Sequence, residues 1–330
     1  MKRPFLLPLV PLYAAGIALR SLGLHLEIER VQKLERPVIS IGNLSAGGTG
    51  KTPLTIALAK LLVSHGFGVD VLSRGYGRTG KSAEKVDPAG EPSRFGDEPL
   101  LIACEADVPV YVAKRRFEAG RLAEASRSGQ GVHLLDDGFQ HRQLHRDIDI
   151  VLINSEDLSD TLLPAGNLRE LLSSLNRATV FAIPEEDEAA MRKLQPLGKP
   201  IWRIRREMTV PNISRPAVAF CGIARPEQFF AGIEGAGVPI AAKYSFPDHH
   251  RFTQADIALL TRLVQSTGAK AFLTTAKDRV RLSAVEAEIQ QIAPLHTVGL
   301  RASFLDEASV AAWIAAKLKA AAPALGPEPF

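Results

Sequence analysis

Apolar runs alternate with polar and glycine-rich punctuation along most of the chain, and their period sorts them into strands and helices. A β-branched run at 37–41 ends in a glycine-rich turn, and an apolar-periodic helix follows over 54–62. Further short apolar runs predict strands from 69 and over 108–112, 131–136, 148–153 and 180–183, with a helix over 100–106. Residues 79–95, rich in Gly, Pro, Ser and charge, predict a long surface loop, of a kind that often carries function. Strands alternating with helices through 37–183 predict an α/β fold with a doubly wound, mostly parallel sheet. Residues 201–207 alternate apolar and basic, as an edge or linker strand does, and place a boundary between domains 1–205 and 206–330. A second βα series has strands at 217–222, 240–244 and 271–275, a helix from Gln254, and a closing helix over about 307–322 before a Pro- and Gly-rich tail.

The amino end breaks this pattern. Met1-Lys2-Arg3 precedes sixteen uncharged residues, Pro4 to Leu19, and then Arg20. A basic start before an apolar run is like a signal peptide, but no small-x-small cleavage site closes it. Pro4, Pro8 and Pro11 interrupt the run, and a spanning helix needs ~20 apolar residues, so it is too short and too broken to cross. The expected state is an apolar segment lying in the membrane interface, with Lys2, Arg3 and Arg20 near lipid headgroups. The alternative is a helix packed on the protein's own core.

Composition narrows the class. The 330 residues are 46% hydrophobic and 23% charged, which excludes a disordered chain. A net charge of +4 is too small and too scattered for nucleic acid, though it suits an anionic substrate or membrane surface. Cys104 and Cys221 are far apart in apolar runs, so neither a disulfide framework nor a Cys-x-x-Cys metal pair is available. Nothing points to an obligate protein partner.

Candidate chemistry begins at Ser45-Ala46-Gly47-Gly48-Thr49-Gly50-Lys51-Thr52, between the first strand and its helix. In such a loop backbone N–H groups and the helix N-terminus cradle phosphate, the lysine reaches the β- and γ-phosphates, and the threonine hydroxyl ligates Mg²⁺. The usual pattern wants glycine at 45, where this chain has serine. The strand 131–136 ends in Asp136-Asp137 about 85 residues later, as a carboxylate pair beside nucleotide-bound Mg²⁺ requires. Asp97 and Glu98 open the 100–106 helix, where acidic residues are common for dipole reasons alone. Lys114, Arg115 and Arg116 follow a strand end, placed either to hold an anionic substrate or to start a solvated helix. Arg74 and Arg78 face phosphate or simply solvent. His141 and His145 lack the further ligands a zinc site needs.

Together these stretches resemble the tetraacyldisaccharide 4′-kinases of lipid A biosynthesis. The resemblance runs through 42–53, 72–77, 96–99, 135–147, 163–170, 246–249 and 273–278, and Asp-Asp-Gly-Phe-Gln-His and Pro-Ala-Gly-Asn-Leu-Arg-Glu are its most specific runs. Ser45 looks like that family's own form of the loop. The resemblance implies a P-loop NTPase-like domain, a smaller α/β/α domain joined by a β-strand linker, and an active site between them. It implies phosphorylation by ATP with Mg²⁺ of the 4′-hydroxyl of an acylated glucosamine disaccharide 1-phosphate, at the cytoplasmic face of the bacterial inner membrane. It makes Asp97 the general base, paired with His249 from the second domain, and Lys51 the third catalytic group. Thr52, Asp136, Asp137 and Glu98 would surround the metal, with Arg116, His141 and Glu170 as substrate contacts. Residues 274–278 would lie near the adenine, or form a plain strand end. The competing classes are a P-loop switch or assembly ATPase, which needs no Asp97–His249 pair, and a kinase of a soluble sugar, which needs no apolar amino end.

Overall fold

The structure, a computed structural model, describes residues 3–26, 30–48, 50–126, 129–213 and 215–321. Its strands are β1 Val38–Asn43, β2 Val69–Ser73, β3 Glu84–Lys85, β4 Val110–Val112, β5 Val132–Asp136, β6 Ile148–Leu152, β7 Val180–Pro184, β8 Ile201–Thr209, β9 Ala217–Cys221, β10 Ile240–Ser245, β11 Ala271–Thr275 and β12 Leu295–Phe304. Its helices are α1 Val10–His25, α2 Lys51–Ser64, α3 Pro92–Phe95, α4 Asp97–Ala106, α5 Arg116–Ser126, α6 Glu188–Leu194, α7 Pro226–Gly235, α8 Gln254–Thr267, α9 Ala276–Arg281, α10 Glu286–Ile292 and α11 Glu307–Ala321.

The strands form one sheet in the order β10-β9-β11-β12-β8-β7-β6-β1-β5-β2-β4-β3. β1, β2, β5, β6 and β7 are buried at every residue, which is why they read as continuous apolar runs. Leu54, Leu58 and Leu62 of α2 pack on one face with Ile39 and Ile41, and Leu44 and Phe139 belong to the apolar layer on the other side. β1 lies between β5 and β6, both parallel to it, and β5 is inserted between β1 and β2. The chain therefore diverges to both sides of β1, and a crevice opens at the carboxyl ends of β1 and β5.

Several elements differ from the sequence reading. β8 is no edge strand: it pairs with β7 on one side and antiparallel with β12 on the other. Its alternation arises because Trp202 and Ile204 share a face turned to the core while Arg203 and Arg205 share the opposite one. β12, not recognised from the sequence, runs parallel to β11 over Leu295–Val298 and antiparallel to β8 over Gly299–Phe304, joining the two halves of the sheet. The expected loop 79–95 contains β3, which pairs with β4, and the short helix α3. After the 163–170 loop the chain takes a 3-10 turn, Leu172–Arg177.

The amino end is not broken. A 3-10 segment Pro4–Leu9 runs directly into α1, and Pro4–Gly23 is long and apolar enough to cross a membrane by length and composition. Pro4 opens the 3-10 segment, Pro8 lies inside it and Pro11 is the second residue of α1, and the chain stays helical through all three because proline's fixed φ is a helical one. Val10, Tyr13, Ala14 and Ile17 pack on the Leu44 and Phe139 cluster, while Phe5, Leu12, Leu19 and Leu22 are exposed. Tyr13 Oη donates to Arg169 O at 3.2 Å, and Arg142 Nη1 donates to Ser21 Oγ at 2.6 Å. One face of the helix thus packs on the protein and the other is free. Lys2, part of the expected headgroup contact, lies outside the described residues, as does the 322–330 tail.

Gly42, in β1, packs directly against the turn after β5. A Cβ there would stand 2.6 Å from Phe139 Cβ and 2.7 Å from its backbone N, neither of which can retreat without moving the turn after β5. Gly42→Ala is therefore expected to destabilise the fold by about 1–3 kcal/mol, read as a lower urea midpoint at unchanged slope. A midpoint equal to the parent's would show that β1 and the turn are not in rigid contact.

Candidate active site

Where β1 gives way to α2 the described residues have positive φ at two glycines, Gly47 (φ 109°) and Gly50 (φ 92°). Ser45 is not among the positive-φ residues, so a side chain is tolerated there. It pairs with Leu168 in an isolated antiparallel bridge, and Asn43 Nδ2 donates to its carbonyl at 2.7 Å. The N–H of Ala46 donates to Asn167 O at 2.7 Å and that of Arg169 to Leu44 O at 2.7 Å. Ser45 and Ala46 are thus bound to the 163–170 loop, which leaves the open part of the cradle to Gly47, Gly48 and Gly50. Thr49, expected to bind nucleotide, lies outside the described residues.

Lys51 Nζ donates to Asn43 Oδ1 at 3.1 Å and lies 3.5 Å from Asp137 Oδ1. Asp137, at the turn after β5, also takes Arg169 Nη1 at 3.0 Å, and its proton affinity is lowered: burial raises it, but Lys51 and Arg169 prevail. Asp136 is buried, accepting from Thr55 Oγ1 at 3.2 Å and Ser73 Oγ at 3.4 Å. Its burial, followed by the charges of Glu98 and Asp137, pushes its pKa up toward neutrality. Thr52 is buried and lines the same crevice.

The two carboxylates that open α4 face the second half of the chain. Asp97 Oδ2 lies 3.1 Å from His249 Nδ1, and Arg281 Nε donates to the same oxygen at 2.8 Å. Burial would raise the Asp97 pKa, but the His249 bond and the Arg281 charge hold it far below the usual carboxylate range. His249 is raised in turn, chiefly by its bond to Asp97, and sits at φ 59° with its ring 5.5 Å from that of Tyr76. Glu98 Oε1 takes Lys277 Nζ at 2.5 Å. A cavity of about 880 Å³ is lined by Lys51, Thr52, Asp136, Asp137, Glu98 and Arg116 among others. A second of about 250 Å³ is lined by Asp97, and both include Tyr76 and His249.

Of the basic trio, Lys114 and Arg115 are exposed, and Arg116 alone is turned inward. Burial pulls its pKa down to about 10, and its Nη1 lies 3.5 Å from His141 Nδ1. Burial and that guanidinium hold His141 neutral, its pKa down to about 3. Arg74 lines the large cavity, whereas Arg78 donates to Gly80 O and Val112 O and supports the β4 loop. The Glu170 carboxylate accepts from Ser174 Oγ at 2.8 Å and Arg177 Nη2 at 2.7 Å, an internal brace rather than a cavity wall. His141 and His145 form no metal cluster among the described residues. Sequence reasoning missed Asn43, Arg169, Lys277 and Arg281 as site residues. A cue was present for the last two, four residues apart and so on one helix face.

This arrangement has close counterparts. A family model described as tetraacyldisaccharide-1-P 4′-kinase matches residues 2–319. The chain belongs to that family. The tetraacyldisaccharide 4′-kinase of Koribacter versatilis is 41% identical over 309 residues, 91% of this chain and 94% of that protein. The one from Chromobacterium violaceum is 36% identical over 330 residues, covering 95% and 93%. A crystal structure described as the "apo" form of LpxK from Aquifex aeolicus in complex with ATP superposes with a TM-score of 0.74 at 32% identity, covering 95% of this chain and 98% of that one. Membership makes the chain a kinase, on the fold expected from the sequence.

Asp136 makes a pH prediction. Its raised proton affinity means the folded chain holds a proton that the unfolded chain, with an ordinary carboxylate, releases earlier. Its contribution to stability is full below the usual carboxylate range and is lost as pH rises toward neutrality. Metal-free Asp136→Asn is therefore expected to match the parent's urea midpoint near pH ~4 and to exceed it increasingly toward pH ~7. Parallel profiles for the two proteins would remove the strain assigned to Asp136.

Proposed function

We propose that the chain transfers the γ-phosphoryl group of ATP to the 4′-hydroxyl of a tetra-acylated glucosamine disaccharide 1-phosphate, giving the bis-phosphorylated lipid A precursor. The reaction takes place at the cytoplasmic face of the bacterial inner membrane. The observation that carries this reading is the Asp97–His249 bond of 3.1 Å beside the cavity that also holds the phosphate loop. A switch ATPase has no use for a buried carboxylate bonded to a histidine at the edge of that cavity.

In this mechanism Gly47, Gly48, Gly50 and the α2 N-terminus bind the triphosphate. Lys51 leaves Asn43 and Asp137 for its terminal oxygens. The donor set suits Mg²⁺: Asp136 is buried close to Glu98 and Asp137 and, among the described residues, pairs with no cation of its own, beside the Thr52 hydroxyl. With few protein ligands, Mg²⁺ would be held largely by phosphate and water, as is usual for this ion, and would neutralise charge on the phosphate oxygens. Asp97, ionised at any working pH, accepts the hydroxyl proton late, because a loose transition state leaves it on oxygen until bonding to phosphorus acidifies it. His249 orients the carboxylate and bonds it while it carries the proton. Arg116 and neutral His141 contact the sugar or its 1-phosphate. Residues 206–330 act as a domain that closes on the cleft and excludes water, suppressing ATP hydrolysis.

The exposed apolar face of the amino-terminal helix, carrying Phe5, Leu12, Leu19 and Leu22, lies in the membrane interface and brings the site to its lipid.

Incubation with labelled ATP and a panel of acylated disaccharide 1-phosphate, soluble sugars and nucleosides is expected to label the lipid alone. Label on a soluble sugar, or phosphate release with no acceptor, would refute the reading. Asp97→Ala is expected to lose at least ~10²-fold in kcat with little change in ATP KM; near-parent turnover would remove it as the base. Leu12→Glu with Leu19→Glu, which spares the packed face of the helix, is expected to abolish co-sedimentation with anionic phospholipid vesicles. Retained sedimentation would place docking on another surface.

A further inference from the structure

Arg281 belongs to neither the phosphate loop nor the β5 tip, yet all three nitrogens of its guanidinium are bonded beside the cleft. Nε donates to Asp97 Oδ2 at 2.8 Å and Nη2 bonds the same oxygen. Nη1 donates to Gly222 O at 2.6 Å and to Asp278 Oδ1 at 2.9 Å. Asp278 is fully buried, and its Oδ2 accepts from Gly222 N at 3.0 Å and Thr275 Oγ1 at 2.7 Å. The Gly222 carbonyl also accepts the backbone N–H of His249 at 3.2 Å. One peptide group after β9 therefore anchors both partners of Asp97.

The consequence for Asp97 is directional. His249 and both Arg281 nitrogens converge on Oδ2, and among the described residues no hydrogen bond reaches Oδ1. One carboxylate oxygen is fully engaged and the other is left for an incoming hydroxyl. One turn earlier on α9, Lys277 holds Glu98 in the same way, so two cations four residues apart grip two adjacent carboxylates.

We propose that Arg281 is a positioning residue for phosphoryl transfer, fixing Asp97 by Oδ2 against His249 so that Oδ1 points at the acceptor hydroxyl, with Lys277 aligning the neighbouring Glu98. This rests on the reading of Asp97 as the base. It assigns Arg281 no contact with substrate or nucleotide. Its effect belongs in the rate of transfer and not in ATP binding, because a carboxylate that swings by an ångström loses its alignment while the phosphate cradle is untouched.

The test uses the full-length protein and the lipid acceptor. Arg281→Ala is expected to lose at least about tenfold in kcat with ATP KM within about twofold of the parent. Ethylguanidinium, but not ethylammonium, is expected to restore most of the loss, because only a planar fork reproduces the two bonds to one oxygen and the bond to Gly222 O. Arg281→Lys, which keeps the stem and the charge, guards against a folding defect and is expected to hold its thermal midpoint while retaining less than about a third of the parent kcat. Parent-like kcat in either variant overturns the proposal, as does a loss in a folded Arg281→Ala protein that ethylguanidinium fails to restore. Asp97→Ala in the same assay separates the two levels. If it is inactive while Arg281→Ala is parent-like, the positioning role alone falls. If it is itself parent-like, the base falls and the positioning role with it.

Discussion

Parallel pairing of β1 with β5, in the register Ile41↔Asp136, is the constraint on which the site depends. It sets the phosphate-loop strand beside the strand that carries the acidic pair, with both turns opening at one end of the sheet. Because every residue of both strands is buried, a one-residue slip would turn apolar side chains off their packing faces on both layers. Gly42 reinforces the register, since only a residue without Cβ lets Phe139 lie against β1. The turn that holds Asp137 at φ 47° follows from that contact.

Charge balance governs the rest of the cleft. Lys277 neutralises Glu98, Arg281 and His249 neutralise Asp97, and Lys51 and Arg169 neutralise Asp137. Asp136 is the exception, bonded to two hydroxyls and, among the described residues, to no cation within salt-bridge distance. Its raised proton affinity is the price of a buried carboxylate left unneutralised. A buried carboxylate with no cation of its own beside a phosphate cradle is what a metal ion can use, whereas a stability-optimised core would avoid it. The cations of α9 belong to the second half of the chain, so the electrostatics of the site also join that half to α4.

Much of this was legible in the sequence, for identifiable reasons. Buried parallel strands such as β1, β5 and β6 read as unbroken apolar runs, and glycine clusters mark the turns between strand and helix. The amphipathic strands were harder. β8 alternated because Trp202 and Ile204 share its core face and Arg203 and Arg205 the other, and nothing local distinguishes such a strand from an edge. β12 changes partner and direction of pairing in mid-strand, so its pattern follows neither template along its whole length. Three prolines argued against a long amino-terminal helix, but the run stays helical through all of them, Pro8 inside the 3-10 segment and Pro11 in the first turn of α1.

The sequence by itself determined the chemistry that the local backbone encodes: a loop that cradles phosphate, an acidic strand end, and motif runs specific enough to indicate a family. Each lies within a dozen residues, and the physics that shapes it is local. Only the tertiary structure decided which distant groups meet. Arg281 reaches Asp97, and Lys277 reaches Glu98, across more than 170 positions of chain. Arg116 turns inward while Lys114 and Arg115 do not, and Glu170 braces Arg177 instead of lining the cavity. Those outcomes depend on strand order and on which helix face the core covers, quantities set by the packing of the whole sheet and not by any stretch of it.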